Sequence, residues 1–278
     1  VAPTIQNESE VWLERYAAEH GLAGGDRHQP DLRGGSDAPK PDFRLRRGQS
    51  SAIIEVKEFE TSTLHRRLME AGPRNMVSLD AKTEYATVRN KLGEAAKDQL
   101  RFYAARGEAL IVCLANPKEV WVPINRSEEI LEAMNGDLVF AIPIDTDTGG
   151  PAGGGSTFFG RNGAFVDSHR YVSAVMTLHR GTLAAEAVER WHEDNRPRWE
   201  GIEDRRQRME AVAHVALHEE ALREAEATEG EFYFVRVYES RWVALGEAVP
   251  VPRDLFVGSR DEFWAIDPET GIVGLVAA

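Results

Sequence analysis

The chain has 278 residues, 42% of them hydrophobic, one cysteine and a formal net charge of −13. That length bounds one large domain or two small ones with a sizeable core, and one cysteine excludes an intrachain disulfide framework or a cysteine-built zinc site. The acidity argues against a uniformly basic nucleic-acid-binding protein, but residues 40–106 carry 14 Lys/Arg against 9 Asp/Glu, a net +5, which leaves −18 on the remainder. The first residues lack a basic-then-apolar leader pattern, and no apolar run approaches the length of a membrane span. A lone cysteine suits a reducing compartment. The expectation is therefore a cytoplasmic protein without membrane contact.

Glu8 to His20 reads as an amphipathic helix, with Trp12, Leu13, Tyr16 and Ala17 on one arc and Glu10 at its edge. Leu22 to Pro39 is Gly-, Asp- and Pro-rich and reads as loop, with His28 a surface residue. Pro41-Asp42-Phe43-Arg44-Leu45 and Ser51-Ala52-Ile53-Ile54-Glu55-Val56-Lys57 read as two strands joined by a polar turn containing Gly48. Strand alternation sends Glu55 and Lys57 to one face and Ile54 and Val56 to the other. Hairpin pairing can bring Asp42 near Glu55. Two carboxylates and a lysine at a strand end suit magnesium and an attacking water.

Glu58 to Lys82 is polar and irregular, either a flap over that site or a surface insertion. Thr83 to Ala105 reads as a helix whose apolar stripe is Val88, Leu92, Ala95, Phe102 and Tyr103. Gln99 falls within the stripe, where its amide must find hydrogen-bond partners. Glu108 to Leu114 is a buried strand that includes Cys113, and Glu119 to Pro123 is the next strand. Asp145 to Gly163 is a Gly/Pro/Ser/Thr-rich loop without the Gly-Lys-Ser/Thr ending of a phosphate-binding loop. Further on come a strand at Tyr171 to Leu178, a helix from Thr182 to Asp194 capped by Thr182, and a long charged helix from Ile202 to Thr228. His214 and His218 are four apart in that helix but turn away from its apolar stripe, so they read as exposed rather than as a metal pair. Strands at Phe232 to Tyr238, Phe263 to Ile266 and Ile272 to Val276 close the chain, with a loop over 250–258.

Pro41-Asp42 followed by Glu55-Val56-Lys57, behind an acidic first helix and ahead of a long second one, resembles the PD-(D/E)XK nuclease superfamily. Gln99-x-x-x-Tyr103 on the second helix resembles the additional motif of RecB-type exonuclease domains. The resemblance implies an α/β fold with a restriction-endonuclease-like mixed sheet flanked by helices. It would comprise a nuclease-like core over residues 1–125 and an α+β extension over 126–278 packed on it. It implies magnesium, with manganese as a substitute, held by Asp42, Glu55 and the Val56 carbonyl, with Glu10 assisting. Lys57 would position the water and stabilise developing charge, and Gln99 and Tyr103 would touch substrate. The implied activity is hydrolysis of nucleic-acid phosphodiesters, with DNA as partner, in defence or repair. Two other readings stay open. One is a nuclease-fold binding protein that does not cut. The other is an interaction subunit of a defence or repair complex whose partner surface is the acidic second half.

Overall fold

Ser50–Glu58 is hydrophobic almost without interruption at its centre, as expected of a strand covered on both faces. In the computed structural model it lies inside a sheet. The residues described are 7–22, 41–59, 81–118, 124, 126–136, 138–141, 156–159, 163–166, 168–196, 201–207, 230–266 and 273–276. Along the chain run α1 (Glu8–Glu19), β1 (Phe43–Arg47), β2 (Ser50–Glu58), α2 (Ala81–Asp98), a 3-10 helix (Leu100–Arg106) and β3 (Ala109–Ala115). They are followed by α3 (Ser127–Asn135), β4 (Leu138–Ala141), β5 (Ser156–Phe159), β6 (Ala174–Thr182) and α4 (Leu183–Asn195). Last come β7 (Glu231–Glu239), α5 (Arg241–Ala244), a 3-10 turn (Arg253–Leu255), β8 (Glu262–Ile266) and β9 (Val273–Val276).

Seven strands form one strongly curled mixed sheet in the order β1-β2-β3-β6-β7-β8-β9, packed against helices, and β4 pairs separately with β5. β1 and β2 are antiparallel with Phe43 opposite Ile54 and Arg47 opposite Ser50, a register set by the tight turn at Gly48, whose φ of 58° suits glycine. β3 runs parallel to β2 and β6 parallel to β3. β8 is parallel to β7 and antiparallel to β9. Strands from both sides of residue 125 thus share the sheet.

The two faces of β2 have different covers. Ile53 belongs with Leu110, Val112 and Leu114 of β3 to the main apolar cluster, which also contains Val88, Leu92, Ala95 and Ala96 of α2. Residues two apart share a strand face, so Glu55 and Lys57 project to the α2 side. Glu58 projects with Ile54 and Val56 to the other side, where α1 sits and Ser9 meets it. Arg44, Ser51 and Glu108 pin the far end of the hairpin, the arginine and the serine each reaching Glu108 Oε1 at 2.7 Å. At the opposite end of the chain Asp261 accepts from the Tyr16 hydroxyl at 2.7 Å and from the amides of Gly258 at 2.7 Å and Val235 at 3.0 Å, tying α1 to the loop before β8.

The second helix departs from its expected form. It does not run from Thr83 to Ala105. It ends at Asp98 and continues as the 3-10 helix. Three residues per turn place every third side chain on one face, so Leu100 and Tyr103 are buried while Phe102, expected in the apolar stripe, is 45% exposed. Cys113 is fully buried on β3, as a core position requires. Thr182 caps α4, its Oγ1 accepting from the Ala185 amide at 3.1 Å. β5 forms inside the segment expected to be loop over 145–163. The expected strand at Glu119 to Pro123, His28, His214 and His218, and most of the expected helix from Ile202 lie outside the described residues, as does the segment 60–80. No helix among the described residues is long and apolar enough to cross a membrane.

By contacts the chain divides into two units, Val1–Leu178 with Val235–Ala278, and His179–Phe234. Within the second, the His179 and Phe234 rings stack at 5.0 Å and the Leu183 amide donates to the Gly230 carbonyl at 3.0 Å.

Candidate active site

The register of the hairpin builds the site. With Phe43 opposite Ile54, the next pair outward is Asp42 and Glu55, on the same face. Asp42 Oδ2 accepts the Val56 amide at 2.9 Å, which fixes the aspartate at the mouth of β1. Glu55 is only 2% exposed, and its Oε1 receives Lys57 Nζ at 3.1 Å. Its Oε2 is buried with no hydrogen-bond partner. A buried polar atom without a partner costs roughly 1–3 kcal/mol, so this position is held at a cost by the fold around it.

The charge state follows from that environment. Burial pushes the Glu55 carboxyl up, the neighbouring Asp42 carboxylate pushes it further, and Lys57 opposes both; the result is a pKa of about 8. Glu55 therefore carries its proton through neutral pH, which removes much of the like-charge repulsion from Asp42. Asp42 also raises the Cys113 thiol, already raised by complete burial, which keeps that sulfur an unreactive core group.

Tyr103 stands near Glu55. It is 1% exposed, and burial, opposed by Arg106 and reinforced by the Glu55 carboxylate, raises its hydroxyl. Arg106, one 3-10 turn on, lies over the Tyr103 ring at 4.9 Å. Arg106 is a site neighbour that reading the sequence overlooked. The spacing Tyr-x-x-Arg makes the two neighbours on a helix of either pitch.

The remaining expected residues fall differently. Gln99 is half-buried at the junction where α2 gives way to the 3-10 helix, with φ −117° and ψ −65°. Its backbone N–H donates to the Ala95 carbonyl at 3.2 Å. Glu10 lies in the first turn of α1, half-buried. Among the described residues no three His, Cys, Asp or Glu side chains gather as a metal-holding group, so Glu10 does not complete one with Asp42 and Glu55. The residue of β2 that does meet α1 is Glu58, whose Oε2 accepts from Ser9 Oγ at 2.7 Å and the Ser9 amide at 3.3 Å. Lys118 pairs with its Oε1 at 2.7 Å.

No match emerges when the chain is compared with models of known protein families, with curated proteins or with solved structures. What stands of the resemblance is the mixed α/β architecture with its seven-stranded sheet. Its finer content rests on the residues gathered at the end of β2.

Proposed function

We propose that the protein is a metal-dependent nuclease hydrolysing nucleic-acid phosphodiester bonds, with its chemistry at Asp42, Glu55 and Lys57. The observation that carries this reading is Glu55 Oε2, a buried carboxylate oxygen without a hydrogen-bond partner beside a second carboxylate. Such a pair suits a hard divalent cation, which takes oxygen ligands. Asp42, Glu55 and the Val56 carbonyl would hold it, with magnesium or manganese as the ion. When bound, the ion would neutralise charge on the phosphate and lower the pKa of water.

The chain's own residues supply the rest. Lys57 Nζ, held at 3.1 Å by Glu55, is a fixed cation that can orient a water and offset charge building on phosphate oxygens. The Val56 amide keeps Asp42 from swinging out. Tyr103 is buried near Glu55. The site lies towards the C-terminal end of β2, beside parallel β3, the edge at which open α/β sheets place ligands.

The test is a cleavage screen over single- and double-stranded DNA and RNA with magnesium or manganese, run with wild type, Asp42→Asn and Glu55→Gln. Metal-dependent cutting lost in both variants is the expected result. Equal cutting by all three proteins removes the site from the chemistry.

A second reading has its own support. The described residues offer two acids and no third, and the whole chain carries −13. Both favour a nuclease-fold protein that binds without cutting, alone or within a defence or repair complex. A wild type that binds nucleic acid yet cuts none of the four substrates establishes it.

A further inference from the structure

Phe102 is one of few large hydrophobic side chains exposed among the described residues, at 45%. It does not sit in an apolar patch. The Arg101 guanidinium lies over its ring at 4.8 Å, and exposed Lys97 and Arg106 flank it along the chain. The adjacent residue, Tyr103, is buried near Glu55, with Arg106 over its ring at 4.9 Å. One short 3-10 helix therefore carries a buried tyrosine near Glu55, an exposed aromatic ring and two guanidinium groups, each over one of these rings.

An exposed aromatic ring beside several cations matches a strand whose bases present π-faces and whose backbone presents phosphates. Base pairs in a duplex already use both faces for stacking, so only an unpaired base can occupy such a ring. A ring and guanidinium groups take an unpaired strand's bases and phosphates, and the proposed nuclease reading, with DNA as its partner, selects single-stranded DNA as the occupant. We infer that the Leu100–Arg106 helix is a docking platform for single-stranded DNA, in which a base stacks on Phe102 while Arg101 and Arg106 take the flanking phosphates. Resting on the proposed nuclease reading, it would deliver the strand to the site from the Tyr103 side and make unpaired DNA the substrate.

The probe is a fluorescein-labelled 15-mer of thymidylate, titrated by anisotropy without divalent metal. Phe102→Ala should weaken binding about tenfold, the range for losing one base–aromatic stack, and leave thermal melting unchanged because the ring is exposed. Arg101→Gln with Arg106→Gln should reduce the dependence of affinity on salt, as lost phosphate contacts do. Leu245→Ala, which removes another exposed hydrophobic side chain, at 64% exposure, should change nothing. Binding that is unaltered in Phe102→Ala, or no weaker for a blunt duplex than for the single strand, overturns the platform. Tighter binding of the matching uridylate 15-mer overturns the assignment to DNA. The readout is independent of cutting. Phe102-dependent binding without cleavage by wild type sinks the nuclease reading and keeps the platform; cleavage unaffected by Phe102→Ala does the reverse.

Discussion

Glu55 and Glu58 stand three residues apart on one strand and are treated by the fold in opposite ways. Glu58 turns to α1. Burial alone would raise its carboxyl, but hydrogen bonds from Lys118 and Ser9 and the Lys118 charge hold it below the ordinary carboxylate value. Glu55 turns to α2, where burial and the Asp42 carboxylate outweigh Lys57 and lift it to about 8. One carboxylate is satisfied at every polar atom the fold gives it, and the other keeps an oxygen unbonded. Satisfied buried carboxylates tie elements together. Unsatisfied ones are costly, and it is the unbonded oxygen of Glu55 beside a second acid that the proposed function gives to a cation. On the proposed reading, the difference separates a structural acid from a chemical one, though the same strand supplies both.

The sharpest way to break this contrast is through activity. Lys57→Ala removes the fixed cation of the proposed site, and cleavage should fall by about 100-fold or more, as for loss of one preorganised electrostatic group. Glu58→Gln should lower cleavage far less, since Glu58 projects to the other side of the sheet. Metal-dependent turnover of both variants on one substrate checks the pair. Equal losses would mean that the two acids are not separable in function.

The next largest effect is on stability and has a defined pH dependence. Between the ordinary value of 4.5 and about 8, folded Glu55 keeps a proton that the unfolded chain has lost. The native state then binds more protons, so this group's contribution to stability is complete below about pH 4.5 and declines as pH rises to about 8. Glu55→Gln replaces the acid by a neutral isostere. Without divalent metal it should be more stable than wild type by up to about 5 kcal/mol at pH 9 and about equal to it at pH 4. Urea unfolding at both pH values measures the difference. In the proposed nuclease, magnesium should stabilise the wild type and leave Glu55→Gln unchanged. A variant less stable than wild type at pH 9 would show that Glu55 is satisfied as an anion after all.

Much of this arrangement was legible in the residues, because hairpins obey simple rules. The turn at Gly48 sets the register, the register pairs Asp42 with Glu55, and alternation turns Lys57 to the same face. The 3.1 Å contact between Lys57 Nζ and Glu55 Oε1 follows from the same alternation. The second helix was less legible. Its apolar spacing is compatible with one continuous helix, and nothing in Lys97-Asp98-Gln99-Leu100 announces a change to three residues per turn. That change exposes Phe102 and leaves Gln99 at the junction of the two helices. The bond between Ser9 and Glu58 was out of reach for another reason. It joins residues 49 apart in sequence, through the packing of α1 on the sheet, and no local pattern encodes such a distance.

That bond gives the smallest and most local test of the contrast. Ser9 is fully buried in the first turn of α1, and it donates both its hydroxyl and its amide to Glu58 Oε2. The carboxylate thus answers a backbone N–H that the first turn of a helix leaves without an intrahelical partner, and its charge suits the positive end of the helix dipole. Ser9→Ala removes the hydroxyl and keeps the amide contact, so the loss should be about 1 kcal/mol. Lys118→Ala removes a partner that is 48% exposed and should cost less, under about 1 kcal/mol, as for a surface ion pair. Because Glu58 is held below the ordinary carboxylate value, its contribution is present above that value and disappears as acid titrates the folded carboxylate. The Ser9→Ala deficit should therefore shrink in acid, whereas the Glu55→Gln gain appears only as pH rises. Denaturant unfolding of both variants across the same pH series compares the two directly. A Ser9→Ala deficit that grows as pH falls would mean that Glu58 is not held there as an anion, and the contrast between the two acids would fail.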